Sequence, residues 1–534
     1  MARTPLLRAF QRLAEEHRAA DRLGIPAEEL PGYSRREFLK RAGVTGAAVA
    51  VAGPAVLAQR ANAATAPRIA IVGGGIAGLN AALTLADKGY GSTVYEASTR
   101  VGGRMHSDAS GYWSNGQVSE FCGELIDTGH MTIRHLAQRF GLPTVDLLGA
   151  EPNGTEDTYW FLGGYYPKAQ ADKDFHPIHK TLQGQVQATS YPTTYKIHTD
   201  AGVFFDQMSV YDWIENYVPD GHRSKMGLLL DAAYNIEYGA ETTDQAALNL
   251  MYLLGYSASP GNFLIYGASD ERFHIEGGNE RLPQAIADYL GDQSIKLGWA
   301  MQSIRKGDGG VSMTFSTPGT TQTVTADHVI LTLPFTVLRT LDYAGAGFDP
   351  LKKTAITQLG GGRNGKLQLQ FKSRYWNALG SNGNVYTDLG VQSGWDVTRG
   401  QTGATGIFVD YSGGDIAGSF KPSTPYSNAA TNQQVATYAK QMLRQLEPVF
   451  PGITAQWNGK ASLSTPFLDP NLKLAYSYWR VGQYTSFSGY EGVAQGAIHF
   501  AGEHCSQDFQ GYMEGGAAEG ARAAAEVLAV LKFG

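Results

Sequence analysis

Pro67-Arg-Ile-Ala-Ile-Val-Gly-Gly-Gly-Ile-Ala-Gly-Leu79, running on to Tyr95-Glu96, is the stretch from which the fold is read. Ile69–Val72 is short, apolar and rich in β-branched residues, as suits a strand buried in a parallel sheet. Gly73, Gly75 and Gly78 follow in G-x-G-x-x-G spacing, with Ile76 and Ala77 inside the pattern. Residues 81–88 read as a helix and 92–95 as a second strand. Gly73 permits the tight turn, Gly75 lets the backbone approach a pyrophosphate, and Gly78 lets the helix lie close to the strand. The helix N-terminus offers free N–H groups and the positive end of its dipole to phosphate. Glu96 ends the second strand about 20 residues on, where an acidic group meets a ribose. Glycine turns alone are common. Strand, helix, second strand and acid in one register specify dinucleotide binding.

The chain has 534 residues, which favours two or more domains. Its 43% apolar and 17% charged content is that of a globular chain. A net charge of −6 leaves no nucleic-acid footprint. The two cysteines, Cys122 and Cys505, exclude a disulfide framework and a C-x-x-C metal site, and no metal is expected. Residues 1–63 read as a twin-arginine export signal. Ser34-Arg-Arg-Glu-Phe-Leu-Lys40 precedes a Gly/Ala-rich apolar run and the cleavage site Ala61-Asn-Ala63. The run is short for a membrane span of about 20 residues. The expectation is export, already folded, to the periplasm or the outside of the cell, with the twin-arginine machinery as partner. Residues 1–33 carry no functional reading.

Past Glu96, Ala97-Ser-Thr-Arg-Val-Gly-Gly-Arg104 suits a loop wrapping the nucleotide, with Arg104 offering forked donors to phosphate. Residues 118–126 read as a strand entering a site, where Gly123 allows close backbone approach, and residues 132–140 as a helix. Residues 150–265 turn rich in Tyr, Gln, Asn and Asp. Helical pattern starts at Ser209, with helices at Val210–Tyr217, Lys225–Tyr238 and 246–254. A glycine loop at Glu276-Gly-Gly-Asn279 leads to a helix at 283–290 and to strands at 294–304, 311–315 and 323–332. Pro334 marks a second crossing. A strand at 367–371, a loop-like stretch at 400–427 and a helix at 432–449 follow. Residues 475–484 and 497–501 bring the chain back, and a small-residue helix at 517–530 closes it.

These motifs resemble the flavin-containing amine oxidase superfamily over nearly all of residues 67–531. The carriers are the Gly73–Glu96 unit, Arg100-Val-Gly-Gly-Arg104, Glu276-Gly-Gly-Asn279, Leu331-Thr-Leu-Pro334, Phe500-Ala-Gly-Glu503 and Gly511-Tyr-Met-Glu-Gly515. Cys122-Gly-Glu-Leu-Ile-Asp-Thr-Gly-His130 and Tyr478-Trp-Arg-Val-Gly-Gln-Tyr-Thr485 look most like bacterial exported L-amino acid oxidases. The resemblance implies an α/β fold of the p-hydroxybenzoate-hydroxylase-like kind. A Rossmann-like FAD-binding domain (64–130, 267–333 and 478–534) would be interleaved with an α+β substrate-binding domain (131–266 and 334–477). It implies FAD held by Gly73, Gly75, Ile76, Ala77, Gly78, Glu96, Ala97, Gly103, Arg104, Gly123, Glu124, Leu125, Met301 and Glu503. Gly511, Tyr512 and Met513 would lie against the flavin.

Three departures from the family pattern matter. Gln483 stands where covalent members carry a cysteine, so the FAD is expected to be dissociable. Arg339 stands where many members place a lysine near flavin N5. Leu125-Ile126 stands where venom-type amino acid oxidases have the arginine that reads the substrate carboxylate. Tyr484 and Tyr512 match the aromatic cage, Trp479 is close in sequence, and Arg480 is the first candidate for a carboxylate clamp. The chemistry implied is hydride transfer from the carbon bearing nitrogen, which needs the amine neutral and the site apolar. The expected activity is oxidative deamination of an L-amino acid to a 2-oxo acid, ammonia and hydrogen peroxide, with O2 as acceptor. The alternative is oxidation of an amine without a carboxylate. Side-chain preference, a quinone acceptor and a homodimer stay open.

Overall fold

Ile69–Val72 forms strand β1 with all four residues buried, as its composition requires. Gly73 then turns the chain at φ +111°, and a Cβ there would stand 2.3 Å from Thr332 Oγ1. Only glycine fits both constraints. Helix α1 is Ile76–Ala86 and β2 is Thr93–Glu96. The helix starts five residues before the expected 81 because the turn passes straight into it. A Cβ on Gly78 would lie 2.0 Å from the Gly73 carbonyl oxygen, so close packing, not glycine's poor helix propensity, decides this first turn. The computed structural model describes residues 66–189, 191–256 and 261–533, and the export signal read at the N-terminus lies outside them.

β1 and β2 sit inside a five-stranded parallel sheet in the order Ile498–Phe500, His328–Leu331, β1, β2, Ile295–Leu297. The C-terminal helix, Met513–Phe533, lies along α1. Small residues bring the two backbones together. A Cβ on Gly520 would fall 2.1 Å from the Ala77 carbonyl oxygen, and Asn80 Nδ2 donates to the Ala517 carbonyl at 2.7 Å. This helix begins at Met513 rather than 517.

A second sheet has eight strands in the order Tyr426–Asn428, Trp457–Ser464, Asn364–Phe371, Gly406–Gly413, Ser393–Asp396, Ser381–Thr387, Glu156–Phe161, Gly164–Tyr165. All eight fall within 131–266 and 334–477, and the five parallel strands fall outside those segments. Gly406–Gly413 corrects the loop reading of 400–427. Its apolar core, Ile407-Phe-Val409, is three residues between polar and glycine flanks, too short to register as a run, yet it pairs on both sides.

Other expectations change for local reasons. Of 118–126 only Ser119–Glu120 is strand. The strand expected over 294–304 is two strands in two sheets, Ile295–Leu297 and Ala300–Gly307, because Gly298 turns the chain at φ +74°. Likewise 323–332 divides into Thr320–Ala326 and His328–Leu331. Helix Lys168–Thr189 went unread. Its buried Ala171, Phe175, Ile178 and Leu182 have helical spacing, but Pro177 sits among them. Val210–Tyr217 and Lys225–Tyr238 form as read. Among the described residues no helix is long and apolar enough to cross a membrane.

Candidate active site

A cavity of about 290 Å³ opens between the tip of the parallel sheet and the eight-stranded sheet. At its nucleotide end it is lined by Gly73, Gly75, Ile76, Ala77 and Glu96. Gly75 is the extended N-cap of α1 and no side chain caps that helix, so the N–H groups of the first turn face the cavity. Glu96 is fixed by two backbone donors, Gly74 N–H at 2.6 Å and Ser98 N–H at 2.8 Å. This donor set fits a dinucleotide.

Gly103 and Arg104 continue the lining. Arg104 Nη1 donates to Glu503 Oε1 at 2.8 Å and to the Ala475 carbonyl at 3.0 Å. Glu503 also accepts from Ser477 Oγ, Ser477 N–H and Gly511 N–H. Burial alone would raise its pKa, but Arg104, His504 and the Ser477 hydroxyl outweigh it and hold the carboxyl below its ordinary value. Gly123, Glu124 and Leu125 form the next wall, with Gly511, Tyr512 and Met513 facing it. A Cβ on Gly123 would come within 3.0 Å of the Met513 side chain. Asn279, from the glycine loop, donates to the carbonyls of Gly123 (3.0 Å) and Glu124 (2.7 Å) and so holds this wall in place.

Three expected cofactor residues do not line the cavity. Gly78 is packed under the Gly73 carbonyl. Ala97 is passed over, and Ser98 lines the cavity in its place. Met301 is buried inside the antiparallel sheet, paired with Phe315.

Of the five expected catalytic residues only Tyr512 reaches the cavity. Tyr484 is fully buried, donates from Oη to Asn249 Oδ1 at 2.9 Å and packs on Trp479 with ring centroids 5.2 Å apart. Both belong to the hydrophobic core. Arg480 is half-exposed and faces Asp244 with Nε 3.5 Å from Oδ2. Arg339 donates to the carbonyls of Phe335 and Leu359, and burial, then Arg480, lowers its pKa. Gln483 is likewise buried, donating to the Gln358 carbonyl. The register was set too far downstream. The cavity is met by Ala475, Tyr476 and Ser477, just before the bend that carries Trp479 and Tyr484 into the core.

The substrate end holds residues that sequence reasoning missed. Tyr476 and Tyr411 line it with Tyr512, their hydroxyl oxygens 2.8 Å apart. Tyr512 Oη lies 3.3 Å from Glu237 Oε1. Lys366 also lines this end. It donates to Glu124 Oε2 at 2.6 Å and to the Cys122 carbonyl at 2.7 Å, while Glu124 Oε1 accepts from Trp395 Nε1 at 2.8 Å. Glu237 and Glu271 complete the wall. Burial first, then Glu237, Asp127 and Glu124, push Glu271 well above the usual carboxylate range. A signal for Lys366 existed, since a lysine in an otherwise uncharged strand is a buried charge with a purpose. Glu271 sits in a loop without motif and had none.

A family model for flavin-containing amine oxidoreductases matches residues 76–528. Among curated proteins, a putative L-amino-acid oxidase of Bacillus subtilis is 24% identical over 476 residues, covering 86% of this chain and 94% of its own. The L-amino-acid oxidase of Naja atra is 24% identical over 498 residues, 86% and 87% of the two chains. Among solved structures, cyclohexylamine oxidase from Brevibacterium oxydans superposes with a TM-score of 0.73 at 20% identity, over 88% of this chain and 100% of the other. Putrescine oxidase bound to putrescine gives 0.72 at 18%, over 87% and 99%. The shared fold agrees with the parallel sheet and the cavity at its tip. The chain is a member of the flavin-containing amine oxidoreductase family, an oxidoreductase with a flavin cofactor.

Proposed function

We propose that the protein oxidises an amine lacking an α-carboxylate, using non-covalent FAD. One observation carries this reading: at the substrate end Glu271 has no ion-pair partner among the described residues, while every lining cation is engaged elsewhere. Glu124, Glu237 and Glu271 line it. Of the lining cations, Lys366 is paired with Glu124, Arg104 with Glu503, and Arg100 donates to the carbonyls of Val101 and Gly103. A substrate carboxylate would meet like charge, and an unpaired buried ion costs several kcal/mol. An ammonium meets opposite charge.

The flavin, when bound, supplies the two-electron acceptor. This chain's residues do the rest. The first turn of α1 and Arg104 would hold pyrophosphate, and Glu96 a ribose. Tyr411, Tyr476 and Tyr512 exclude water and present aromatic faces to the amine. Lys366, rather than Arg339, is our candidate for the family's lysine. Ala475, not Gln483, neighbours the cage tyrosine. The cavity-lining Cys122 has its thiol raised by burial, which keeps it protonated and a poor nucleophile. Both favour dissociable FAD, so acid precipitation should leave yellow flavin in the supernatant, and flavin on the pellet would refute it.

The second reading, an L-amino acid oxidase, is favoured by the names of the curated relatives. It requires Lys366 to exchange Glu124 for the substrate carboxylate. A peroxide assay, backed by a dye-coupled assay for a non-oxygen acceptor, would compare the common L-amino acids with cyclohexylamine, benzylamine, putrescine and spermidine. Faster turnover of amines upholds the first reading, and faster turnover of amino acids replaces it with the second. We also propose the interleaved division at 130/131, 266/267, 333/334 and 477/478, and export through the 34–40 signal, which Arg35→Lys with Arg36→Lys should abolish.

A further inference from the structure

A smaller chamber adjoins the main cavity and shares Glu124, Leu125, Glu271 and Trp395 with it. Its far wall includes Leu148, which is 45% exposed, so the chamber leads towards the surface. Glu271 therefore stands where the substrate end meets a route to solvent.

Its backbone is held there against cost. Glu271 has φ +44°, a left-handed conformation that costs a side-chain-bearing residue about 1–3 kcal/mol and persists where the surroundings impose it. Asp127 imposes it, accepting Glu271 N–H at 2.8 Å and Ser269 Oγ at 2.9 Å. The groups facing the carboxyl come from several elements. Glu237 lies on the helix Lys225–Tyr238, and Asp127 and Glu124 on the wall after Gly123. Asp270 precedes it in the chain. The hydroxyls of Tyr266, Tyr386 and Tyr411 complete the set. The nearby cations are engaged elsewhere: Lys366 with Glu124, Arg272 with Asp146, Arg399 with Glu151. His274, in the smaller chamber, is kept neutral by burial. Among the described residues none forms an ion pair with Glu271. A carboxylate tied to an arginine is a weak base, and this one is not tied.

An amine reaches the site as an ammonium ion and must lose a proton before its α-hydrogen can leave as hydride. We propose that Glu271 takes that proton and that the smaller chamber carries it to solvent. One N–H bond of the ammonium breaks and one O–H bond forms on the carboxylate. The electron pair stays on nitrogen, and the protein gains no electrons. Glu271 acts in its ionised form, which the approaching cation itself stabilises, and any proton it already holds leaves first through the smaller chamber. Burial and the neighbouring carboxyls, which raise its pKa, make the ionised carboxyl a stronger base. This inference rests on the family's amine chemistry alone and holds for either substrate class above.

The test is the pH profile of kcat/KM with putrescine, or with the fastest compound of the panel if putrescine is not turned over. In the wild type, activity should rise with pH along a limb belonging to Glu271. Glu271→Gln should lower kcat/KM about 100-fold at pH 7, and the loss should vanish near the ammonium's own pKa, where substrate is already neutral. Glu271→Asp should restore the limb in part. Flavin content and melting temperature check that both variants fold. If Glu271→Gln fails to load flavin, the Glu271→Asp profile decides, since a displaced limb supports the proposal and an unchanged one refutes it. A loss equal at every pH, or a rise in KM with kcat intact, would mean that Glu271 only holds the cation, and the proposal would fall. The panel separately decides between amine and amino acid.

Discussion

The nucleotide end and the substrate end of the cavity are built in opposite ways. The nucleotide end is local: β1, its glycine turn, α1 and Glu96 lie within 28 consecutive residues and are joined by hydrogen bonds such as Gly74 N–H to Glu96. Its partners are backbone groups, whose positions follow from the glycines. The substrate end is assembled from afar. Glu124, Glu237, Glu271, Lys366, Trp395, Tyr411 and Tyr476 arrive on separate elements and depend on side-chain pairing in a buried site. The first end should tolerate no change of backbone. The second should respond in graded steps to loss of charge, of a hydroxyl, or of nothing that matters.

Gly73→Ala should have the largest effect. Its Cβ would collide with Thr332 Oγ1 and force an L-residue into φ +111°. Purified protein should carry almost no flavin by its absorbance ratio. Near-normal loading would mean that the turn is not the anchor of the nucleotide end. Lys366→Met comes next. The pair with Glu124 has both side chains only 7% exposed, and removing one partner of a buried pair costs about 3–5 kcal/mol. Denaturant unfolding should report that loss, and adding Glu124→Gln should recover much of it. No recovery would show that the two charges are not coupled.

Tyr476→Phe removes a hydroxyl that donates to the Ile236 carbonyl at 2.9 Å and shares a bond with Tyr411. It should cost about 1 kcal/mol in stability and leave the aromatic face in place, so kcat/KM should fall less than in Tyr476→Ala. If Phe and Ala are equally damaging, the hydroxyl and not the ring is what the site uses. Arg480→Ala should do least. Its half-exposed pairing with Asp244 is worth about 0–1 kcal/mol, and kcat/KM should change little for amines and amino acids alike. A loss confined to amino acids would restore Arg480 as the carboxylate clamp and overturn its assignment to the surface.

The misplacement of the cage explains much of what sequence could not give. Tyr484 and Tyr476 are eight residues apart and both flanked by apolar and polar neighbours. Ser477–Tyr478 is a two-residue strand, and the bend after it sends Trp479 and Tyr484 into a core built with Asn249 and Tyr252. No periodicity in so short a strand tells which tyrosine faces the cavity. The same holds for Arg480 and Arg339. Proximity along the chain to a cage residue is not proximity to the cavity when the chain turns by two residues.

The parallel-sheet nucleotide unit is legible in the residues alone, because a strand, a glycine turn, a helix and an acid interact within one continuous stretch whose geometry the residue types dictate. So is the meeting of Glu503, Gly511 and Met513 with that unit, since their motifs recur as a family pattern. Which acids, tyrosines and lysine line the substrate end follows only from the packed fold. For Lys366, Trp395 and Tyr411 that depends on the register of an eight-stranded sheet whose strands span residues 156–464, while Glu124, Glu237, Glu271 and Tyr476 arrive from loops and a helix outside it. A shift of one residue in any of those strands turns its side chains to the opposite face, and nothing local to Lys366 or Tyr411 fixes which face that is.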